Sequence, residues 1–211
     1  MGVTIHYRGT MDDRGQIEDL QRELADIAAC MGWETHRLDD DWDVPTSATL
    51  EHGERGAKIK GHLGLKGISL IPPENGEALS FYVDANGHLR SIMDMIWQSE
   101  GQSDIGWCFT KTQFVGPDVH IWIIGLLKYL QKLYFSNLQV SDEGEFWETG
   151  NRATLEAKMS LINEKINELQ TNLATGSFGD LTGLTAEQIA TRIETYLKNQ
   201  QRSYQATAVL A

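Results

Sequence analysis

A chain of 211 residues with a formal net charge of −12 and a pI near 4.9 is poorly matched to nucleic acid or an anionic membrane surface, since both need basic patches. Its 41% hydrophobic and 23% charged residues, with six Trp, six Tyr and six Phe, suit a globular protein with a substantial core. Two cysteines are too few for a disulfide framework, so Cys30 and Cys108 are expected as buried, reduced thiols of a cytoplasmic protein.

The start, MGVTIHYRG, is polar by its sixth residue and leads us to expect no signal peptide. Val3 to Gly9 alternates Val3, Ile5 and Tyr7 against Thr4, His6 and Arg8, the pattern of a strand with one buried face. After the Asp12-Asp13-Arg14-Gly15 turn, a helix over Gln16–Met31 places Ile17, Leu20, Leu24, Ile27, Ala28 and Met31 on one stripe, and Gly32 closes it. Trp33 to Leu38 reads as a second strand and Asp39 to Arg55 as a long polar loop. Further strands follow at Gly67–Ile71 and Leu79–Asp84, turned by Pro72-Pro73-Glu74-Asn75-Gly76 and Ala85-Asn86-Gly87. Ser91 to Ser99 fits a short helix or a strand, and Ser103 to Phe114 reads as a strand.

Gly116-Pro117-Asp118 is a helix start, with proline where a missing N–H costs nothing and a carboxylate at the positive end of the dipole. Apolar residues cover most of the Asp118–Phe135 helix, except a line through Asp118, Ile121, Gly125, Lys128 and Lys132, so this helix should form the core. Beyond Gly150, Leu155, Met159, Ile162, Ile166, Leu169 and Leu173 make an a/d stripe. A Gly-rich stretch then leads to Thr185-Ala186-Glu187-Gln188, which resembles a capping box for a last helix. The expected architecture is α+β: residues 1–150 form a largely antiparallel sheet of five to seven strands packed by helices on one face. Residues 151–200 form a C-terminal helical hairpin, and 201–211 a tail.

Among possible sites, Asp39-Asp40-Asp41-Trp42-Asp43 copies only half of a calcium loop, with Val44 and Leu50 where glycine and a bidentate glutamate are needed. The six histidines form no zinc motif, so no metal and no cofactor is expected. The candidate ligand-binding group is Asp142, Glu143, Glu145, Trp147 and Glu148 around Gly144, with Lys111 and His120 nearby. Read as extended chain, this segment sets Glu143, Glu145 and Trp147 on one face, and paired carboxylates can bind a cation or divide acid and base roles. As an edge strand, the same charges would discourage edge pairing. His120, in the first helical turn, should donate to a backbone or carboxylate neighbour.

Phe109-Thr110-Lys111-Thr112-Gln113-Phe114 and Val140 to Gly150 resemble stretches of an uncharacterised bacterial protein family of unknown function. The resemblance covers the first three quarters of the chain and implies no activity, ligand or catalytic residue. The functional expectation is a non-enzymatic protein-interaction or self-association module, forming a homo-oligomer or binding a protein partner through the C-terminal helices, away from nucleic acid and membranes. The alternative is a metal-dependent or small-molecule enzyme using the carboxylates near Gly144.

Overall fold

The computed structural model describes residues 2–53, 56–73, 76–99, 101, 106–174, 184–185, 187–189, 191–192 and 194–195. The fold is α+β, built on antiparallel strands. The chain divides into two compact units, Met1–Ser160 and Leu161–Ala211.

In the first unit, strand β1 (Thr4–Arg8) lies between β7 (Cys108–Lys111) and β8 (Gln139–Asp142) in one three-stranded sheet. Its alternation is as read from the sequence: Ile5 and Tyr7 are fully buried while Thr4 and His6 are half-exposed. A second three-stranded sheet holds β5 (Lys66–Ile71) between β2 (Glu34–Asp39) and β6 (Leu79–Val83). Among the described residues the strands form separate sheets of three, three and two strands, and not one sheet of five to seven. Between the halves the Asp84 carboxylate holds a turn by accepting from the amides of Asn86 and His88 at 2.8 and 3.0 Å, and Leu89 N donates to Gly9 O at 2.9 Å. What joins them is the bridge Thr10 to His88 and the Tyr7 hydroxyl, which donates to Ser80 O at 2.7 Å and accepts from Ser80 N at 3.0 Å. The loop expected over Asp39 to Arg55 contains β3 (Thr49–Gly53), which pairs with β4 (Gly56–Lys60).

Helix α1 (Ile17–Met31) buries Ile17, Leu20, Leu24 and Ala28 and ends on left-handed Gly32, φ 67°. Its buried Gln21 donates to Leu38 O and Gly67 O at 2.9 and 3.0 Å, stitching the helix to β2 and β5. Cys30 lies on the opposite face of α1 and is exposed, against expectation; Cys108 is buried, and both thiols are free. Helix α2 (Ile92–Ser99) resolves the ambiguous segment. Ser91 and Asp94 cap its start reciprocally, each backbone amide donating to the other's side chain at 3.1 Å.

Helix α3 (Gly116–Leu133) buries His120, Ile123, Ile124, Leu126, Leu127 and Leu130, and exposes Asp118, Gly125, Lys128 and Lys132. It shares one cluster with Ile5, Tyr7, Leu20, Leu24, Ile68 and Phe81. Trp122 packs against Trp33 with tilted rings 4.6 Å apart, and Glu23 of α1 accepts hydrogen bonds from the hydroxyls of Tyr129 and Tyr134. A short helix α4 (Phe146–Thr149) precedes α5 (Arg152–Ala174). Leu155 and Met159 are buried in the first unit, which is why that unit runs to Ser160 and past Gly150.

In the second unit, α5 continues to Ala174, and residues 187–189, 191–192 and 194–195 are helical. The capping box is formed: Thr185 N donates to Gln188 Oε1 at 2.9 Å and Gln188 N to Thr185 Oγ1 at 3.3 Å. The turn of the expected hairpin, the side chains of Leu169 and Leu173, and the tail from 201 lie outside the described residues.

Candidate functional site

The acidic segment is not extended beyond Asp142. Its strand stops there because the Asp142 side chain takes over the next backbone donors: Oδ1 accepts from Gly144 N at 2.7 Å, and Oδ2 from Phe146 N at 2.7 Å and Trp147 N at 2.9 Å. Aspartate offering its side chain to nearby amides is the usual competitor of strand pairing. Glu145 adopts φ 59° to make the turn, and the chain coils into α4.

A fourth donor completes the set. His120 Nε2 lies 3.1 Å from Asp142 Oδ2, both side chains have no solvent exposure, and His120 Nδ1 lies 2.7 Å from Thr112 Oγ1. A carboxylate has room for about four hydrogen bonds, and Asp142 receives four. The bond to Asp142 places a histidine proton on Nε2, and the Thr112 hydroxyl beside Nδ1 donates to Val3 O at 3.2 Å. Burial pushes the Asp142 carboxyl up, but the hydrogen bonds from His120 and from Trp147 and Gly144 outweigh it, so its pKa sits below the ordinary carboxylate value. Next to Thr112, Gln113 Oε1 accepts from Val3 N at 3.1 Å and its Nε2 donates to Met159 O at 2.9 Å. The network therefore locks α3, β8 and α4 together, with the start of β1 and the first turns of α5 tied in beside it.

The remaining sequence candidates surround this lock without converging on a cleft. Glu143 Oε2 accepts from Thr4 N at 2.9 Å, and Glu145 pairs with Lys158 at 2.7 Å. Trp147 is half-buried with Lys128 Nζ 5.2 Å from its ring, while Glu148 is exposed on α4. Lys111, at the end of β7 opposite Thr4, has its Nζ 5.2 Å from the Phe114 ring. Among the described residues, no three His, Cys, Asp or Glu side chains are grouped to hold a metal ion. Sequence reading found His120 and its carboxylate partner type, but missed Thr112 and Gln113, which carry no spacing signal.

Gly144 is the tight point of the lock. A Cβ there would lie 2.6 Å from Leu155 Cδ1, and 3.0 Å from both Asp142 Oδ1 and His120 Cε1. Leu155 is fully buried and has nowhere to retreat. Gly144→Ala is expected to cost about 1–3 kcal/mol by overpacking, read as a lower urea midpoint at unchanged slope. An unchanged midpoint would mean that the segment is loosely packed.

A pocket of about 440 Å³ opens elsewhere, between α2, β7 and β1. Met93, Trp97, Trp107 and Phe109 line it, with Asp94, Ser80, Tyr7 and Cys108 among its other lining residues. Burial, with the charge of Asp94 adding to it, pushes the Cys108 thiol up to about 12, so it is a protonated, apolar wall with no nucleophilic character. No family model, no curated protein and no solved structure matches this chain. Among the described residues, no helix is long and apolar enough to cross a membrane.

Proposed function

We propose that this chain is a non-enzymatic interaction protein of the cytoplasm that pairs with a second copy of itself through α5. The observation that carries this reading is the fate of the a/d stripe. Leu155 and Met159 are spent inside the first unit, but beyond Ser160 the stripe continues with Ile162 and Ile166 only half-buried and Leu161 57% exposed beside them. Each such side chain gains about 1.5–3 kcal/mol on full burial before entropy is counted. In sequence, the segment expected to form the last helix offers few apolar residues, essentially Ile189, Ile193, Tyr196 and Leu197. A second α5 supplies a matching stripe.

The acidic balance and the two unpaired thiols fit a reducing compartment and a protein partner in place of nucleic acid. The enzyme alternative has less behind it, because Asp142 has its acceptors filled while Glu143 and Glu145 hold Thr4 and Lys158. Light scattering at concentrations on the order of tens of micromolar tests the pairing. The full chain should show a dimer mass, and a truncation after Ser160, which keeps Leu155 and Met159 in place, should show a monomer. A monomeric full chain would remove the proposal.

A further inference from the structure

The pocket beside α2 has a composition that self-association does not use. Exposed aromatic residues scattered singly need no explanation, but here Trp97 at 46% exposure, Phe109 at 57% and Met93 at 37% line one cavity together with Trp107. Its volume of about 440 Å³ is in the range of small-molecule sites. In this mostly apolar lining sits one charged group, the Asp94 carboxylate, in a residue only 6% exposed.

Asp94 has polar support on one side only. Ser91 N donates to its Oδ2 at 3.1 Å, and its position in the first turn of α2 favours negative charge. Its Oδ1 accepts no hydrogen bond, and no cationic side chain pairs with it, among the described residues. Arg90, the buried cation of this region, is turned to Asp84 at 3.6 Å and to Gln98 at 3.1 Å. Gly106 packs close beside Oδ1, where a Cβ would lie 2.6 Å from that oxygen, so a side chain there would displace the carboxylate. A carboxylate this buried, with one oxygen unclaimed, calls for a positive partner.

The walls favour the same sign. Indole and phenyl faces attract cations, most strongly where water is excluded. Trp107 already shows this on one side, where the Arg8 guanidinium lies 4.4 Å from the ring centroid, held there by Gln139 at 2.9 Å. Arg8 belongs to the neighbouring polar pocket with His88 and Asn137 and is not part of this lining. An anion would meet Asp94 with repulsion, and a purely apolar guest would leave the carboxylate desolvated and unpaired.

We infer that this pocket binds a small organic ammonium ion, with its alkylated nitrogen against Trp97, Trp107 and Phe109 and its charge answered by Asp94. The protein's net charge of −12 draws such ions toward the surface from solution. The same head group could also arrive on a methylated lysine.

The test is calorimetry on the full chain with choline, with its uncharged isostere 3,3-dimethylbutan-1-ol, and with a short peptide bearing trimethyllysine. Choline should bind about tenfold or more tightly than the isostere, the factor that a cation–aromatic contact plus one ion pair supplies. Trp97→Ala, a change at a half-exposed position, should weaken choline about tenfold with an unchanged circular dichroism spectrum. Asp94→Asn should erase the preference for the charged ligand. If Asp94→Asn melts early through loss of its cap, the isostere and Trp97→Ala decide the matter alone. Tighter binding of the peptide than of choline would support the ammonium site and place its ligand on a protein. Equal binding of choline and the isostere, or no heat from choline and peptide up to about 10 mM, would overturn it. Either result is independent of the mass measured by light scattering.

Discussion

Asp142→Ala is expected to lower stability by about 3–5 kcal/mol, the range for removing one member of a buried, hydrogen-bonded pair. The substitution strands His120 Nε2 and the Gly144 amide in a buried site and leaves the part-buried amides of Phe146 and Trp147 without their acceptor. Asp142→Asn keeps the volume but turns two donors toward a ring of donors, so it should recover little. Urea titration measures both, and a loss below about 1 kcal/mol would mean that these groups find other partners. The carboxyl also gives the wild-type protein a pH signature. Its folded pKa lies below the unfolded value of about 3.9, so its contribution is fully present above that value. It is lost as pH falls through the lower, folded pKa. The wild-type midpoint should therefore decline below about pH 4 by a component that Asp142→Asn lacks.

The elements with local signals were legible in the sequence. The Val3–Tyr7 alternation, the Gly32 stop, the Gly116-Pro117-Asp118 start and the Thr185–Gln188 box each depend on a few adjacent residues, and all are present. The acidic segment misled because alternation assumes that backbone donors go to a neighbouring strand. Asp142 intercepts them with its own side chain, and nothing in the periodicity of Ser141 to Glu148 records that competition. The α2 start was encoded as Ser91-x-x-Asp94, a box with aspartate in the place where glutamate is usual. The division into separate sheets was not legible, because which strands pair depends on residues such as Gly9 and Leu89 that meet only once distant segments are brought together. The pocket had the least sequence signal of all: Ser80, Asp94 with Trp97 on α2, and Trp107 with Phe109 at β7 come from three separate segments, so no one spacing joins them.

Leu127→Ala should produce a loss of about 2–5 kcal/mol, the range for deleting a buried leucine and leaving a cavity. Leu127 has no exposed surface and lies on the α3 face that also buries Ile123, Ile124 and Leu130. The same cluster contains Tyr7 and Ile5 from the first sheet, Ile68 and Phe81 from the second, and Leu20 and Leu24 from α1. With residues of four elements closing on the cluster, no single side chain can move in without leaving its own contacts, so collapse around the cavity is limited and the upper half of the range is expected. Leu133→Ala, one and a half turns further along the same helix, supplies the control. Leu133 is 47% exposed, and its truncation should change stability by no more than about 0.5 kcal/mol. The leucine-to-alanine change slightly favours helix in the interior and matters less at the terminal Leu133, so a larger loss at Leu127 reports burial and not helix formation. If the two midpoints shift equally, α3 is held by its own helical stability, and its place at the centre of the first unit's core is wrong.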